Sequence, residues 1–190
     1  MDTQALSTHY LMYILLPLWL LAGLADWQCH RRSDLAHTTG MRETAVHLLM
    51  LAEVGLPLLA ALLLEINAGV MLLMVVGFIA HELTALWDVR MATRQRNVSA
   101  IEQHIHSFLE LIPFMGISMV CLLHWDQART LITGNWERAD FALAAKNPPL
   151  SNAYLVAILG ATLLFCVLPY LEELLRGYRA GRARGTPGLQ

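Results

Sequence analysis

Residues 68–88 read AGVMLLMVVGFIAHELTALWD, and this stretch decides the fold. Its apolar part is close to the roughly 20 residues that a helix needs to cross the hydrocarbon core of a bilayer. His81 and Glu82 nevertheless lie well inside the run, where an ionised side chain costs roughly 2.5–3.5 kcal/mol even on a lenient scale. The stretch therefore predicts a membrane-spanning helix whose polar residues have a compensating partner.

Four further apolar stretches of similar length surround this one. The chain has 190 residues, of which 56% are hydrophobic and 15% are charged, whereas soluble domains average about 25% charged. We therefore expect one all-α domain, an integral membrane bundle of five transmembrane helices, four of which enclose a buried polar site. The predicted helices span about 6–31, 43–65, 67–93, 99–125 and 151–176, with an outer loop at 126–150 and a basic cytoplasmic tail at 177–190.

The basic residues predict the orientation. Ten Arg residues lie between the first and second helices, between the third and fourth, and after the fifth, whereas three basic residues lie on the opposite side. By the positive-inside rule the N-terminus is outside and the C-terminus cytoplasmic, in a multi-pass protein of a bacterial inner membrane. The net charge of −2 gives no basic surface for nucleic acid, so the bilayer is the expected partner.

Acidic and histidine residues collect at the cytoplasmic ends of the first four helices. Because consecutive helices alternate in direction, these four ends fall into one layer below the inner boundary. Imidazole and carboxylate groups on four facing helices are the ligands of di-iron and di-manganese bundles. The candidate metal ligands are Asp26, His30, His47, Glu53, His81, Glu82, Asp88, Glu102, His106 and Glu110.

The spacing of these residues supports a shared site. Asp26/His30, Glu43/His47 and Glu102/His106 are separated by four positions, so each pair lies on one helix face. The order Asp26, Glu43, His47, Glu53 also recurs as Asp88, Glu102, His106, Glu110, which suits a pseudo-symmetric pair of metals. Pro57 and Pro113 follow these residues, and kinks there could open a lateral pocket.

Several candidates have a simpler interpretation. Ser99 and Glu102 have the spacing of a capping box. Asp26, His30, Glu43 and Asp88 lie near the interface, where an ion pair with an arginine would suffice. Glu172 and Glu173 end the fifth apolar segment and are expected to be solvated, with a supporting role behind the metal ligands as the lesser alternative.

The layer of His and carboxylate residues between 26 and 110 resembles that of integral-membrane non-haem di-iron proteins, which include lipid hydroxylases, desaturases and quinol oxidases. The resemblance lies in ligand type and placement. The HxxxH and HxxHH boxes of membrane desaturases are absent, and the Glu–His pairs are Glu-x-x-x-His rather than Glu-x-x-His. The resemblance therefore implies a kind of chemistry and no individual catalytic role.

Three hypotheses for function follow. The first is an oxidoreductase in which two metal ions, iron with zinc or manganese as alternatives, react with dioxygen and act on a lipid-like or quinol substrate. Its electrons would come from a donor on the cytoplasmic side. The second is an intramembrane zinc hydrolase acting on a lipid. The third is a carrier without enzymatic activity, binding haem b or conducting protons or metal ions.

Overall fold

The computed structural model describes residues 2–33 and 40–184, and six helices lie within them. The last six residues of the predicted tail, 185–190, lie outside this part. Five of the helices are long and apolar enough to cross a membrane, so the predicted all-α membrane bundle is confirmed. The helices are α1 (Thr3–Arg32), α2 (Met41–Leu63), α3 (Ala68–Ala92), α4 (Ala100–Leu123), the short α5 (Trp125–Thr133) and α6 (Asn152–Arg182).

The five long helices form a closed ring. Helix α1 packs against α4, α4 against α3, α3 against α2, and α6 fills the space between α2 and α1. The closest pairings are α2 with α3 and α1 with α4. Each of these two pairings joins a helix of the hairpin α1–α2 to a helix of the hairpin α3–α4.

The outward surface of the ring is apolar. Large side chains on different helices are exposed by more than half, including Leu56, Leu83, Leu122 and Val156. Contiguous apolar surface of this extent does not occur on ordinary soluble monomers. The outer faces of the helices therefore suit contact with lipid.

Local signals in the sequence explain where the long helices begin. The side chains of Asp2, Asn67, Ser99 and Ser151 each accept a hydrogen bond from a backbone N–H in the first turn of α1, α3, α4 and α6, respectively. Such caps satisfy donors that have no partner within the helix. The Ser99 cap lies beside Glu102 and positions the start of α4 next to the polar layer.

Helix α1 widens into a π-turn at Leu11–Leu15, two residues before Pro17. Proline lacks the N–H that would donate to the carbonyl of Met12 in this turn. The hydroxyl of Tyr154 on α6 donates to that carbonyl instead, at 3.0 Å. A second π-turn, Leu163–Val167, precedes Pro169 in α6, so both helices adapt to a proline in the same way.

Helices α2 and α3 approach each other closely at Gly77. A Cβ atom built on Gly77 would overlap the carbonyl oxygen of Glu53 and lie 2.7 Å from Cγ of Pro57. Pro57 has no N–H for the Glu53 carbonyl, which is four residues earlier. The freed carbonyl thus lies against the backbone of α3, where only glycine leaves enough space.

Candidate metal centre

A buried polar cluster occupies the end of the ring where α1 and α3 finish and α2 and α4 begin. Its carboxylates are at most 1% exposed, and its histidines are buried or nearly so. All five long helices contribute a side chain. The members are Asp26, His30, Glu43, His47, Asp88, Glu102, His106 and Glu173.

His30 lies at the centre of this cluster. Its Nδ1 is 3.1 Å from Oε2 of Glu173, a distance at which the ring N–H donates to the carboxylate. Thr44 donates to the other oxygen of Glu173 at 2.7 Å and fixes its orientation. Nδ1 of His30 is therefore engaged, and Nε2 points away from Glu173 into the cluster.

Nε2 of His30 faces three carboxylates without hydrogen bonding to any of them. It lies 3.5 Å from Asp26, 3.6 Å from Glu102 and 3.9 Å from Glu43. Metal–ligand bonds of about 2.1 Å place neighbouring ligand atoms roughly 3.0–3.5 Å apart. The separations around His30 are thus long for hydrogen bonds and close to those between ligands of one ion.

The two sequence repeats meet as reciprocal pairs. His106 of the second repeat lies 2.9 Å from Asp26 of the first, and His47 of the first lies 3.2 Å from Asp88 of the second. Each aspartate lies near the end of the first helix of one hairpin and contacts a histidine of the other hairpin. Both of these pairs therefore join the two halves of the chain.

Arg96 joins the two glutamates of the repeat. It lies in the short connection between α3 and α4, and its side chain reaches back into the cluster, where it is 3% exposed. Its guanidinium donates to both oxygens of Glu43 and both oxygens of Glu102. Burial lowers the pKa of Arg96, but the bonds to the two carboxylates raise it further, so its pKa lies above the ordinary value.

Two groups of side chains have ligand atoms close enough to hold a metal ion. Asp26, His30, Glu102 and His106 form one group, and His30, Glu43 and His47 form the other. Within each group the atoms lie within 4.8 Å of one another. The buried His and carboxylate groups can therefore bind metal, and the two groups share His30.

The charge of the cluster is unbalanced. Among the described residues it contains five buried carboxylates and one guanidinium, which leaves four negative charges when the three histidines are neutral. Buried charges without compensation cost several kcal/mol each. Bound cations, protonated histidines or protonated carboxyl groups must therefore reduce this charge in the folded cluster.

A cavity of about 60 Å³ adjoins the cluster, and we refer to it as the polar cavity because ionisable side chains line it. Its lining includes His81 and Glu110 beside four members of the cluster, Asp26, His47, Asp88 and His106. No hydrogen bond of good geometry reaches either ring nitrogen of His81 among the described residues, although the carbonyl of Met50 is nearby. Two predicted candidates thus share this cavity with the cluster without joining it.

The remaining predicted candidates lie apart from the cluster. Glu53 accepts a hydrogen bond from Thr84 at 2.9 Å, which gives it a partner on the neighbouring helix. Glu82 belongs to neither group of potential ligands. The structure therefore brings together six of the ten candidates: Asp26, His30, His47, Asp88, Glu102 and His106.

The simpler interpretations fare differently. Ser99 does cap α4, but the Glu102 side chain binds Arg96 instead of completing a capping box. The arginine partner of Glu43 is Arg96, one of the ten arginines that predict the orientation. The expectation that Glu173 is solvated is wrong, because it is completely buried.

Glu173 could have been found from its spacing. Cys166, Tyr170 and Glu173 follow one another at four and three positions, which places them on one face of α6. All three are buried. An apolar stripe that ends in a carboxylate on the fifth helix was therefore a signal for a fifth contributor to the site.

Comparison with protein-family models, with curated proteins and with solved structures finds no match to this chain. The geometry of the cluster is thus the basis for assigning a function.

Proposed function

We propose that this protein is a membrane-embedded oxidoreductase that binds two iron ions and uses dioxygen to oxidise a hydrophobic substrate. The observation that supports it most is the surplus of four buried negative charges, which two divalent cations would neutralise without protonating any histidine. Carboxylate-rich sites with some imidazole suit iron and manganese. None of the cluster residues is a cysteine, which agrees with an iron site that is neither haem nor an iron–sulfur centre.

The two groups of side chains suggest how the ligands divide. Asp26, His30, Glu102 and His106 would hold one ion, and Glu43 and His47 would hold the other, with Asp88 beside His47. Arg96 would keep Glu43 and Glu102 side by side. Glu173 would act through His30, since a carboxylate on the second ring nitrogen orients a ligating histidine and increases its basicity.

When bound, iron would supply the redox chemistry: it would take electrons from a donor or a quinol and pass them to dioxygen. The chain itself would position the reactants. Trp19, Leu51, Leu109 and Cys166 line the polar cavity and would keep bulk water from it. His81, with no well-formed hydrogen bond, is placed to bind or transfer a proton in that cavity.

The electron balance depends on the substrate. Two quinols supply the four electrons that convert dioxygen to two waters, so a quinol oxidase needs no further donor. Hydroxylation of a lipid takes two electrons from the substrate, and two more must come from a reductase. We propose that this reductase binds on the cytoplasmic side. The protein itself would lie in a bacterial inner membrane with its N-terminus outside.

Metal analysis and an absorption spectrum of the protein purified in detergent test this function. We expect about two irons per chain and no Soret band. His106→Ala should lose metal, whereas Glu53→Gln should keep it, because Glu53 bonds to Thr84 outside the cluster. A Soret band would contradict the proposal in favour of haem, stoichiometric zinc in favour of a hydrolase, and no metal in favour of a proton carrier.

A further inference from the structure

A second and larger cavity lies in the half of the ring away from the cluster. It has a volume of about 230 Å³ and is lined mostly by apolar side chains from the four helices α1 to α4 and the start of α6. Pro57 and Pro113 both line it, as does Gly116. We refer to this space as the apolar chamber.

The apolar chamber and the polar cavity meet at Trp19, which lines both. Trp19 is 8% exposed, and its indole Nε1 has no hydrogen-bond partner among the described residues. A buried N–H without a partner costs roughly 1–3 kcal/mol. A donor of this kind between an apolar space and a polar one points to a ligand that supplies the acceptor.

We infer that the apolar chamber binds a lipid-like molecule with a hydroxyl or carbonyl head group and a long alkyl tail. The head accepts a hydrogen bond from Nε1 of Trp19 and faces His81 and the buried polar cluster, while the tail extends through the chamber. Describing this molecule as the substrate rests on the proposed function; its binding and orientation do not.

The dimensions of the chamber fit such a tail. Its wall on α1 runs from Thr8 to Trp19, eleven residues that span about 16 Å at 1.5 Å per residue. An extended alkyl chain fits this length, and the apolar wall provides the hydrophobic contacts that bind it. The head would then lie at the end of the chamber nearest the redox site.

The far end of the chamber is less suited to the head group. Lys146 lines it, but Glu65 lies nearby and attracts its charge. Burial also lowers the pKa of Lys146. An uncharged oxygen head therefore finds its free donor at Trp19, whereas an acidic head would turn the molecule around and place its charge at Lys146.

Photolabelling tests the orientation. The probe is a decanol analogue with a diazirine at its terminal carbon, added to the purified protein and mapped by mass spectrometry. We expect saturable labelling on Leu11, Ile117 or Leu150, at the far end of the chamber. Labelling of Met50 or Leu109 beside the polar cavity, or labelling that does not saturate, would overturn the inference.

Two pairs of variants test the binding contacts. Gly116→Leu should reduce saturable labelling at least tenfold, because nothing lies within 4 Å of a Cβ at Gly116 and the side chain would fill the chamber. Gly160→Leu is the matched control, since its Cβ also meets open space. Equal labelling of the two variants would overturn the inference.

Trp19→Phe removes the donor and keeps most of the apolar bulk. Competition by decanol should weaken about fivefold, the effect of one lost hydrogen bond, while competition by decane stays unchanged. Trp136→Phe, at an exposed tryptophan, should alter neither. Unchanged decanol competition in Trp19→Phe would contradict the assigned contact.

The labelling and competition experiments need neither turnover nor metal. A negative result in them leaves the metal proposal standing, and a protein without metal leaves the binding of the lipid-like molecule standing.

Discussion

The two ring nitrogens of His30 have different surroundings, and this difference determines which nitrogen is free to bind a cation. Nδ1 is bonded to Glu173, whereas Nε2 faces Asp26, Glu43 and Glu102 without a hydrogen bond. The Glu173 carboxylate thereby selects the tautomer that carries its proton on Nδ1 and leaves a lone pair on Nε2. A ring nitrogen that faces three carboxylates is suited to bind a positive charge, either a metal ion or a proton.

Glu173→Gln should reduce metal affinity about 10–100-fold, the usual effect of losing a carboxylate behind a ligating histidine. The amide keeps the shape of the side chain and its acceptor oxygen, so Thr44 can still donate to it. The measurement is iron content after equilibration with a graded series of chelator concentrations. Glu172→Gln is the control, because its side chain is 42% exposed; a comparable loss in both variants would contradict the role given to Glu173.

Residue chemistry explains which parts of the site were predictable. His47, His106, Asp26 and Asp88 stand out because ionisable groups in apolar helices are costly and rare. Arg96 was not predictable as a cluster member, since an arginine in a polar connection is equally compatible with solvent. Glu53 lies outside both groups of potential ligands, and depth in the membrane does not reveal the hydroxyl of Thr84, which donates to one of its oxygens from the next helix.

At the scale of the helices, the contact at Gly77 fixes how α2 and α3 pack. Pro57 frees the carbonyl of Glu53, and Gly77 allows the backbone of α3 to approach that carbonyl. The same two helices carry His47 and Asp88, which lie 3.2 Å apart in the cluster. Gly77 is therefore the residue that lets the backbones of these two helices approach each other.

Gly77→Ala should destabilise the protein by about 1–3 kcal/mol, the range for overpacking a close contact. Gly55→Ala, on the neighbouring helix α2, is the control, because nothing lies within 4 Å of its Cβ and alanine favours the helix. Unfolding in mixed detergent, followed by circular dichroism, measures both. Equal stability of the two variants would show that the close approach does not limit packing.

For the whole molecule, the five apolar segments were predictable from hydropathy alone. The closure of the ring by α6 was not, because its apolar sequence gives no sign of which neighbours it contacts. The orientation still rests on the basic residues. Arg96 faces inward among carboxylates, so it adds less to the excess of positive charge on the predicted cytoplasmic side than a plain count of basic residues implies.

The proposed orientation predicts which connections an impermeant thiol reagent reaches in intact bacterial cells. In a background with Cys29, Cys121 and Cys166 replaced, Glu137→Cys should react in intact cells. Arg94→Cys should react only after permeabilisation. Both positions are exposed, so accessibility depends on the side of the membrane; the opposite pattern would invert the orientation.

The reciprocal pairs between the two hairpins have a consequence for the order in which the site is assembled. Because Asp26 pairs with His106 and Asp88 pairs with His47, neither hairpin alone brings the whole cluster together. The cluster can therefore close only after both hairpins have inserted into the membrane and packed against each other.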